Sequence, residues 1–316
     1  MSDGTAAPAG SSSRRLWRGA AFALAGASLW GVSGACAQFL LVGYGVDPSL
    51  LTAVRMLGAG LVFLALIAAR RRAALAAMLR DRGTLAQLAA FGFALYLSQI
   101  TYTIVIDYTN AGTATVLQMT GTVFVLVYAC LVARSLPRPR EAVGLVAAVA
   151  ATWLIATQGN PGALSLPLPG LLWGFANGLA VAFYLVYPKR LFARWGSFTV
   201  TGMGMLAGGF AACVVLAAGW IAGAPVALLE LDAAGFAVLA AFVLVGTFAA
   251  FALYLHGVSV VGSVRGGLLG AVEPVSATVV SALWLGTAFT GADLVGMALM
   301  IAMIFLVTGE SPRRAK

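Results

Sequence analysis

Long apolar runs make up most of the chain, and short polar or helix-breaking segments interrupt them at regular intervals. Each run is close to the ~20 residues that an α-helix needs to cross ~30 Å of hydrocarbon. The runs are continuous rather than alternating, so they indicate helices and not the strands of a membrane barrel. The pattern predicts ten spans, at residues 19–41, 48–69, 85–106, 109–132, 141–158, 169–188, 198–222, 234–256, 263–286 and 291–308.

Composition agrees with this pattern. Hydrophobic residues make up 61% of the chain, charged residues 9%, and the mean hydropathy is +0.98. A soluble globular domain typically has about 25% charged residues. These values exclude a soluble globular domain and predict an all-α integral membrane protein.

The second half of the chain repeats the first. Tyr102 to Gly144 corresponds to Tyr254 to Gly296 at one constant offset, and a Trp-Gly pair opens each half, at Trp30-Gly31 and Trp173-Gly174. With five spans in each half, the second half must be inverted relative to the first, as in transporters whose substrate path lies between two repeats. We predict an N-terminal cytoplasmic tail at 1–18, a first repeat at 19–158, a linker at 159–168, a second repeat at 169–308 and a basic tail at 309–316.

The formal net charge of +9 is distributed unevenly along the chain. Basic residues cluster at 14–18, 70–82, 134–140, 189–194 and 313–316, all on one side of the predicted spans. The other side carries acids, Asp47, Asp107, Glu230, Asp232 and Asp293. The positive-inside rule therefore places both termini in the cytoplasm. Because the basic groups flank spans, we predict no nucleic-acid partner.

Motifs for catalysis or metal binding do not occur in the sequence. His256 is the single histidine, and there is no zinc-protease, serine-hydrolase or phosphate-loop motif. Glu273 is the one acid well inside a span, whereas a pair of catalytic carboxylates needs two. We therefore predict no enzyme activity, no cofactor and no metal site.

Arg55 is the first polar residue whose position demands an explanation. It lies about seven residues into the second span, and so roughly 10 Å below the outer surface. Placing an arginine near the centre of a span costs ~2.5–3.5 kcal/mol, so its side chain should face a partner or a wet cavity. It is either a cationic anchor for an anionic substrate group, or a structural residue that snorkels to the interface or pairs with Asp47 or Asp107.

Glu273 lies near the middle of the ninth span, and Pro274 follows it. The proline removes an amide donor and is predicted to kink the helix. Glu273 either binds an amine or carries a proton, or it is a protonated, hydrogen-bonded side chain that fixes helix packing. The corresponding place in the first repeat holds Gly121-Thr122, so the acid and the proline occur in one repeat only.

Aromatic and amide side chains in the spans complete a candidate pocket. Individually, such residues more often pack against other helices or lie at the membrane interface. Tyr102 and Tyr254 occupy matched places in the two repeats, which favours them as paired walls. The candidates for the substrate path are Trp30, Arg55, Tyr102, Gln118, Tyr254 and Glu273, with Tyr96, Gln99, Asn177, Tyr184 and Tyr187 as further possibilities.

At these residues the chain resembles the EamA family of the drug/metabolite transporter superfamily. The resemblance covers about residues 19–308 and is carried by Trp30-Gly31, Arg55, Ala111 to Gln118, Trp173-Gly174 and Val272 to Val275. Two places depart from the family pattern: Gly121-Thr122, and Leu285-Gly286-Thr287, where Leu-Gly-Glu is frequent. The resemblance implies a ten-helix carrier with two inverted five-helix repeats around a central cavity.

Together these features predict a secondary transporter in the inner (cytoplasmic) membrane. We expect it to move a small metabolite, such as an amino acid, sugar, nucleobase or drug-like amine, by alternating access and in the export direction. Its expected partners are the substrate, the lipid bilayer and a coupling proton carried by Glu273, with the protein as a monomer or homodimer. A lipid-linked sugar translocator and a non-transporting membrane scaffold stay open as alternatives.

Overall fold

The structure is a computed structural model that describes residues 9–160, 162, 164–224 and 230–308, with the backbone alone for 9–13, 263–265, 267 and 308. Residues 1–8 of the predicted tail and the basic tail 309–316 lie outside this description. The described helices are α1 Ala9–Gln38, α2 Pro48–Arg80, α3 Arg82–Tyr108, α4 Ala111–Gln118, α5 Thr120–Ala133, α6 Pro139–Thr157, α7 Leu168–Val186, α8 Lys189–Trp195, α9 Ser197–Ile221, α10 Ala233–Val243, α11 Ala250–Val261, α12 Ser263–Gly270, α13 Val272–Leu285 and α14 Gly291–Thr308. A π-helical turn, Phe39–Gly43, follows α1, and a π-helical segment, Leu244–Ala249, joins α10 to α11.

Nine stretches of the described chain are long and apolar enough to cross a membrane, and the tenth is the shorter apolar helix Gly291–Val307. They correspond one to one with the predicted spans. The predicted fold class is confirmed: an all-α membrane protein with ten transmembrane helices in two five-helix repeats. The fourth span consists of α4 and α5, the eighth of α10 and α11, and the ninth of α12 and α13.

Acidic and amide side chains start several of these helices. Asp47 accepts hydrogen bonds from the amides of Ser49 and Leu50 at 2.8 and 3.0 Å, and Asp232 accepts one from Gly235 at 2.8 Å. A side-chain oxygen here satisfies amides that a helix start leaves free. These caps belong to the ends of the spans opposite the arginine clusters. We call the two faces the acidic end and the arginine-rich end.

The two repeats are intertwined. The first helix of each repeat packs against the third and fourth spans of the other: α1 on α11 and α13, and α7 on α3, α4 and α5. Two further large contacts join equivalent spans, α2 with α9 and α6 with α14. This pattern is unchanged when the two repeats are exchanged, as expected for inverted repeats.

The glycines of the two Trp-Gly pairs explain how closely these helices approach. A Cβ on Gly31 would lie 2.6 Å from the carbonyl oxygen of Glu273, and a Cβ on Gly174 would lie 2.7 Å from Leu117 Cδ1. Any larger residue would push the first span of one repeat away from the broken span of the other. The tryptophans differ, because Trp30 lies inside the bundle whereas Trp173 is 39% exposed on its outer surface.

Two features at the arginine-rich end were not predicted. The second span was expected to end at residue 69, but α2 continues to Arg80 across a non-helical residue, Arg71 (φ −140°, ψ 34°). The short helix α8 lies between the sixth and seventh spans. Arg194 of α8 forms an ion pair with Asp81 at 2.7 Å, which ties this connection to the start of α3.

Candidate functional site

Both the fourth and the ninth spans break near the middle of the membrane. The breaks fall at Met119 (φ −66°, ψ −15°) and Ala271 (φ −63°, ψ −7°), which are corresponding positions of the two repeats. The Met119 amide donates to the carbonyl of Val116 at 3.1 Å, and the Ala271 amide donates to the carbonyl of Leu268 at 3.2 Å. Each acceptor is three residues back instead of four, so the helix tightens by one 3₁₀ turn at each break. The break is therefore a symmetric property of the fold, although acid and proline occur in one repeat only.

Pro274 lies in the first turn of α13, directly after the second break. Its missing N–H is one of those that a helix start leaves free, so the proline fits there without losing a bond. Glu273 precedes it and is 8% exposed. Gln118, the last residue of α4, donates from Nε2 to Glu273 Oε1 at 3.3 Å. The two broken spans thus bring one polar side chain from each repeat together.

Arg55 is 4% exposed and projects from the first half of α2 into the bundle. Its Nε donates to Thr247 Oγ1 at 2.9 Å and its Nη2 to Ser33 Oγ at 3.4 Å. Its Cζ lies 4.7 Å from the centre of the Phe242 ring. Arg55 therefore neither snorkels to the interface nor pairs with Asp47 or Asp107, the two structural roles considered from the sequence.

The π-helical segment Leu244–Ala249 supplies the main partner of Arg55. Thr247 lies within it, is fully buried, and its hydroxyl donates to the carbonyl of Phe242, five residues earlier, at 2.9 Å. Because that bond uses its hydroxyl proton, the oxygen is left to accept from Arg55. Such segments are frequent at functional sites.

Arg55 and Glu273 line the same small cavity, of about 40 Å³, which we call the Arg55 chamber. A larger cavity of about 250 Å³, the central cavity, adjoins it and shares the Glu273 wall. The six candidates predicted from the sequence all line one or both: Trp30, Gln118 and Glu273 both cavities, Arg55 and Tyr102 the chamber, and Tyr254 the central cavity.

Aromatic rings form much of the walls. Trp30 packs against Phe251 and Tyr254, with ring centres 4.7 and 4.6 Å apart. The matched tyrosines are held in similar ways, because each hydroxyl bonds to the first half of the broken span in its own repeat. Tyr102 contacts Thr115 Oγ1 at 2.8 Å, and Tyr254 donates to the carbonyl of Gly266 at 3.1 Å.

Several polar atoms of the Arg55 chamber have no partner among the described residues. Trp30 Nε1 and Gln99 Oε1 are buried without a hydrogen bond. A guanidinium has five N–H donors, of which Arg55 uses two in the bonds above. The described part of the chain contains one ion pair, Arg194 with Asp81, so no carboxylate lies within ion-pair distance of Arg55. Buried polar groups are normally satisfied, and these can be satisfied by a bound molecule.

The central cavity extends toward the arginine-rich end. Its lining there includes Phe192 of α8, Thr201 of α9, Leu255 of α11 and Ile304 of α14. At the acidic end a part-buried bridge joins the two repeats. Gln38 Nε2 donates to Thr287 Oγ1 at 2.9 Å and its Oε1 accepts from the amide of Ala111 at 2.9 Å, so one side chain of α1 connects the start of α4 with the segment after α13.

Sequence reasoning missed the residues that hold Arg55. Ser33, Phe242 and Thr247 were not candidates, nor was Phe251 of the cavity wall. The one usable signal was Thr247 itself, a lone hydroxyl in the apolar run from Ala233 to Leu253. Of the further possibilities, Gln99 and Tyr184 line the Arg55 chamber, whereas Tyr187 is 37% exposed and stacks on Phe183.

Comparison with known proteins adds three findings. The model of the EamA-like transporter family matches residues 17–157 and again 168–309. The "Uncharacterized inner membrane transporter YicL" of Salmonella typhimurium (strain LT2) is 33% identical over 296 residues, which cover 93% of this chain and 96% of that protein. A solved protein crystal structure is similar in fold, with a TM-score of 0.62, 20% identity, and coverage of 91% of this chain and 94% of the other.

Proposed function

Because the chain belongs to the EamA-like transporter family, a family of membrane transporters, we propose that it is a secondary carrier which moves a small metabolite across the inner membrane by alternating access. The observation that carries this proposal is the Arg55 chamber. A buried cation and a buried acid line one cavity, and hydrogen-bonding groups there are unused. Neither charge is explained by packing alone, since burying either one is costly.

The substrate that fits best carries charges of both signs. The free N–H groups of Arg55 and the indole N–H of Trp30 suit an anionic group such as a carboxylate. Glu273 suits an amine, which can also lie against the aromatic rings of Trp30 and Tyr254. Of the metabolites predicted from the sequence, an amino acid has this combination, whereas a sugar or nucleobase leaves the charges unmatched.

We propose export as the direction of transport, on the basis of the orientation of the protein and of proton exchange at Glu273. The positive-inside rule assigns the arginine-rich end, and with it both termini, to the cytoplasm. The central cavity extends to that end, so this conformation is open to substrate from the cytoplasm. A proton entering from the opposite side can replace the substrate amine on Glu273, which gives proton-for-substrate exchange.

Thermal unfolding in detergent against amino acids, sugars, nucleobases and amines tests the substrate class. A ligand that binds only the folded state stabilises it by about 2.7 kcal/mol at a hundred times its dissociation constant. We expect amino acids to raise the unfolding midpoint, and Arg55→Gln and Glu273→Gln to abolish the shift. Arg72→Gln, a surface change outside both cavities, is the matched control.

Flux in proteoliposomes tests transport itself. We expect an imposed pH gradient to drive uptake of the identified ligand by the native protein, and Glu273→Gln to remove the pH dependence. Stabilisation by a lipid-linked sugar instead of a soluble metabolite would replace the proposal with the translocator alternative. Binding without flux under any gradient would favour the scaffold.

A further inference from the structure

A second cavity, of about 420 Å³, lies at the arginine-rich end between α2, α9 and α11. Leu255 is the one lining residue that it shares with the central cavity. Its polar lining consists of two arginines, the single histidine and two serines: Arg70, Arg71, Ser197, His256 and Ser259. We call it the basic pocket. Nothing in the transport proposal uses these side chains.

The backbone directs these groups toward the pocket. Arg71 leaves helical geometry, and a Cβ placed on Gly196, the residue before α9, would lie 3.6 Å from Arg71 Nη1. The Arg71 side chain therefore crosses from α2 to the start of α9. The His256 ring is held edge-on by Phe22 of α1, with ring centres 5.0 Å apart.

The pocket is polar at its mouth and apolar at its floor. Leu66 and Ile67 precede Arg70 and Arg71 by four residues, and Ala252 precedes His256 by four. Four residues of helix correspond to about 6 Å along the membrane normal. The apolar floor thus lies one turn deeper in the membrane than the basic mouth.

The described residues do not balance the positive charge in this pocket. None of its lining residues is acidic, and the ion pair that the described residues contain, Arg194 with Asp81, lies elsewhere. We propose that the basic pocket binds an anionic phospholipid, with the headgroup phosphate between Arg70, Arg71 and His256. The glycerol and the first acyl carbons then lie against the apolar floor. Basic pockets between transmembrane helices are suited to this class of ligand, and a small soluble anion would not use the floor.

Titration of the purified protein with short-chain phosphatidylglycerol tests the proposal, with the unfolding midpoint as readout. Short-chain phosphatidylcholine and inorganic phosphate serve as the neutral-lipid and soluble-anion probes. We expect phosphatidylglycerol alone to stabilise the native protein. We expect Arg71→Gln to raise its half-saturating concentration about fivefold, the factor for one basic side chain at an anionic surface.

Arg72→Gln is the matched control, because it removes the same charge from the next residue, which does not line the pocket. Arg70→Gln is a second test variant should Arg71→Gln not fold. Equal losses in Arg72→Gln and the pocket variants would overturn the proposal in favour of general surface charge. Equal stabilisation by phosphatidylcholine would overturn the anionic preference, and stabilisation by inorganic phosphate at the same concentrations would overturn the lipid.

Discussion

Replacing Arg55 with methionine distinguishes a binding residue from a structural one. In the folded protein the guanidinium contacts two hydroxyls and one aromatic ring, and the described residues provide no carboxylate within ion-pair distance. Methionine keeps much of the apolar stem and removes the charge. The substitution therefore breaks no direct ion pair.

The magnitude follows from these contacts. The bond to Thr247 at 2.9 Å contributes ~1.5–3 kcal/mol as a hydrogen bond from a charged donor, and the one to Ser33 at 3.4 Å contributes less. The ring contact adds up to ~2 kcal/mol. Against this, burial of an ion costs several kcal/mol, which Arg55→Met recovers. The free energy of unfolding should thus change by no more than about 2 kcal/mol in either direction, whereas breaking a buried ion pair costs ~3–5 kcal/mol.

Two measurements on the same sample check this reasoning: the unfolding midpoint in detergent, and the shift of that midpoint with ligand. Arg55→Met should unfold near the native midpoint and show no ligand shift. Thr247→Val is the control, because it removes the partner and keeps the charge. A loss of stability well above 3 kcal/mol in Arg55→Met would refute the argument and assign Arg55 a structural role.

Three further predictions concern packing, closure and pH. Gly31→Ala places a Cβ 2.6 Å from the Glu273 carbonyl oxygen and should cost ~1–3 kcal/mol in thermal unfolding, whereas Gly43→Ala, with open space around it, should be neutral. Gln38→Leu breaks the bridge at the acidic end and should speed the alkylation of buried Cys36 by a membrane-impermeant thiol reagent. The measurement is made in a protein whose other two cysteines are replaced by serine. An unchanged alkylation rate would contradict a closing role for the bridge. The pKa of Asp81 is below its ordinary value because the carboxylate accepts hydrogen bonds from the Thr84 amide and hydroxyl and lies beside Arg194. The Asp81 carboxylate therefore contributes its full stabilisation at pH values above its ordinary pKa of ~3.9, and this stabilisation is lost as the pH falls through the lower pKa of the folded state. On acidification, the unfolding midpoint of the native protein should consequently drop more than that of Asp81→Asn.

Hydropathy predicted the spans well because lipid leaves the backbone few choices. A run of about twenty apolar residues must be helical, and the positions of Pro48 and Pro139 agree with the starts of α2 and α6. The break at Met119 was not predicted, because no proline or glycine marks that residue. The structure shows this break at the position that corresponds to Ala271, where the second break precedes the Glu273-Pro274 pair.

The site residues that could be singled out from the sequence are those whose side chains cost the most free energy to bury in a membrane. Arg55 and Glu273 were found because a charge inside a membrane needs a reason. Ser33 and Thr247 were missed because a hydroxyl can bond to a carbonyl of its own helix, so its presence in a span costs little. The Trp-Gly pair is repeated in the sequence but not in its surroundings, since Trp30 lines both cavities and Trp173 is exposed on the outer surface.

The symmetry of the repeats does not duplicate the Gln38 bridge at the arginine-rich end, where the exposed Arg194–Asp81 ion pair joins the two repeats instead. The offset that relates Trp30 to Trp173 relates Gln38 to Val181, an apolar residue that lines the open central cavity. Two hydrogen bonds at ~1 kcal/mol each bias a two-state equilibrium by roughly thirtyfold. We therefore expect the empty protein to rest with its arginine-rich end open. Bound solute must then supply the free energy that turns the carrier outward.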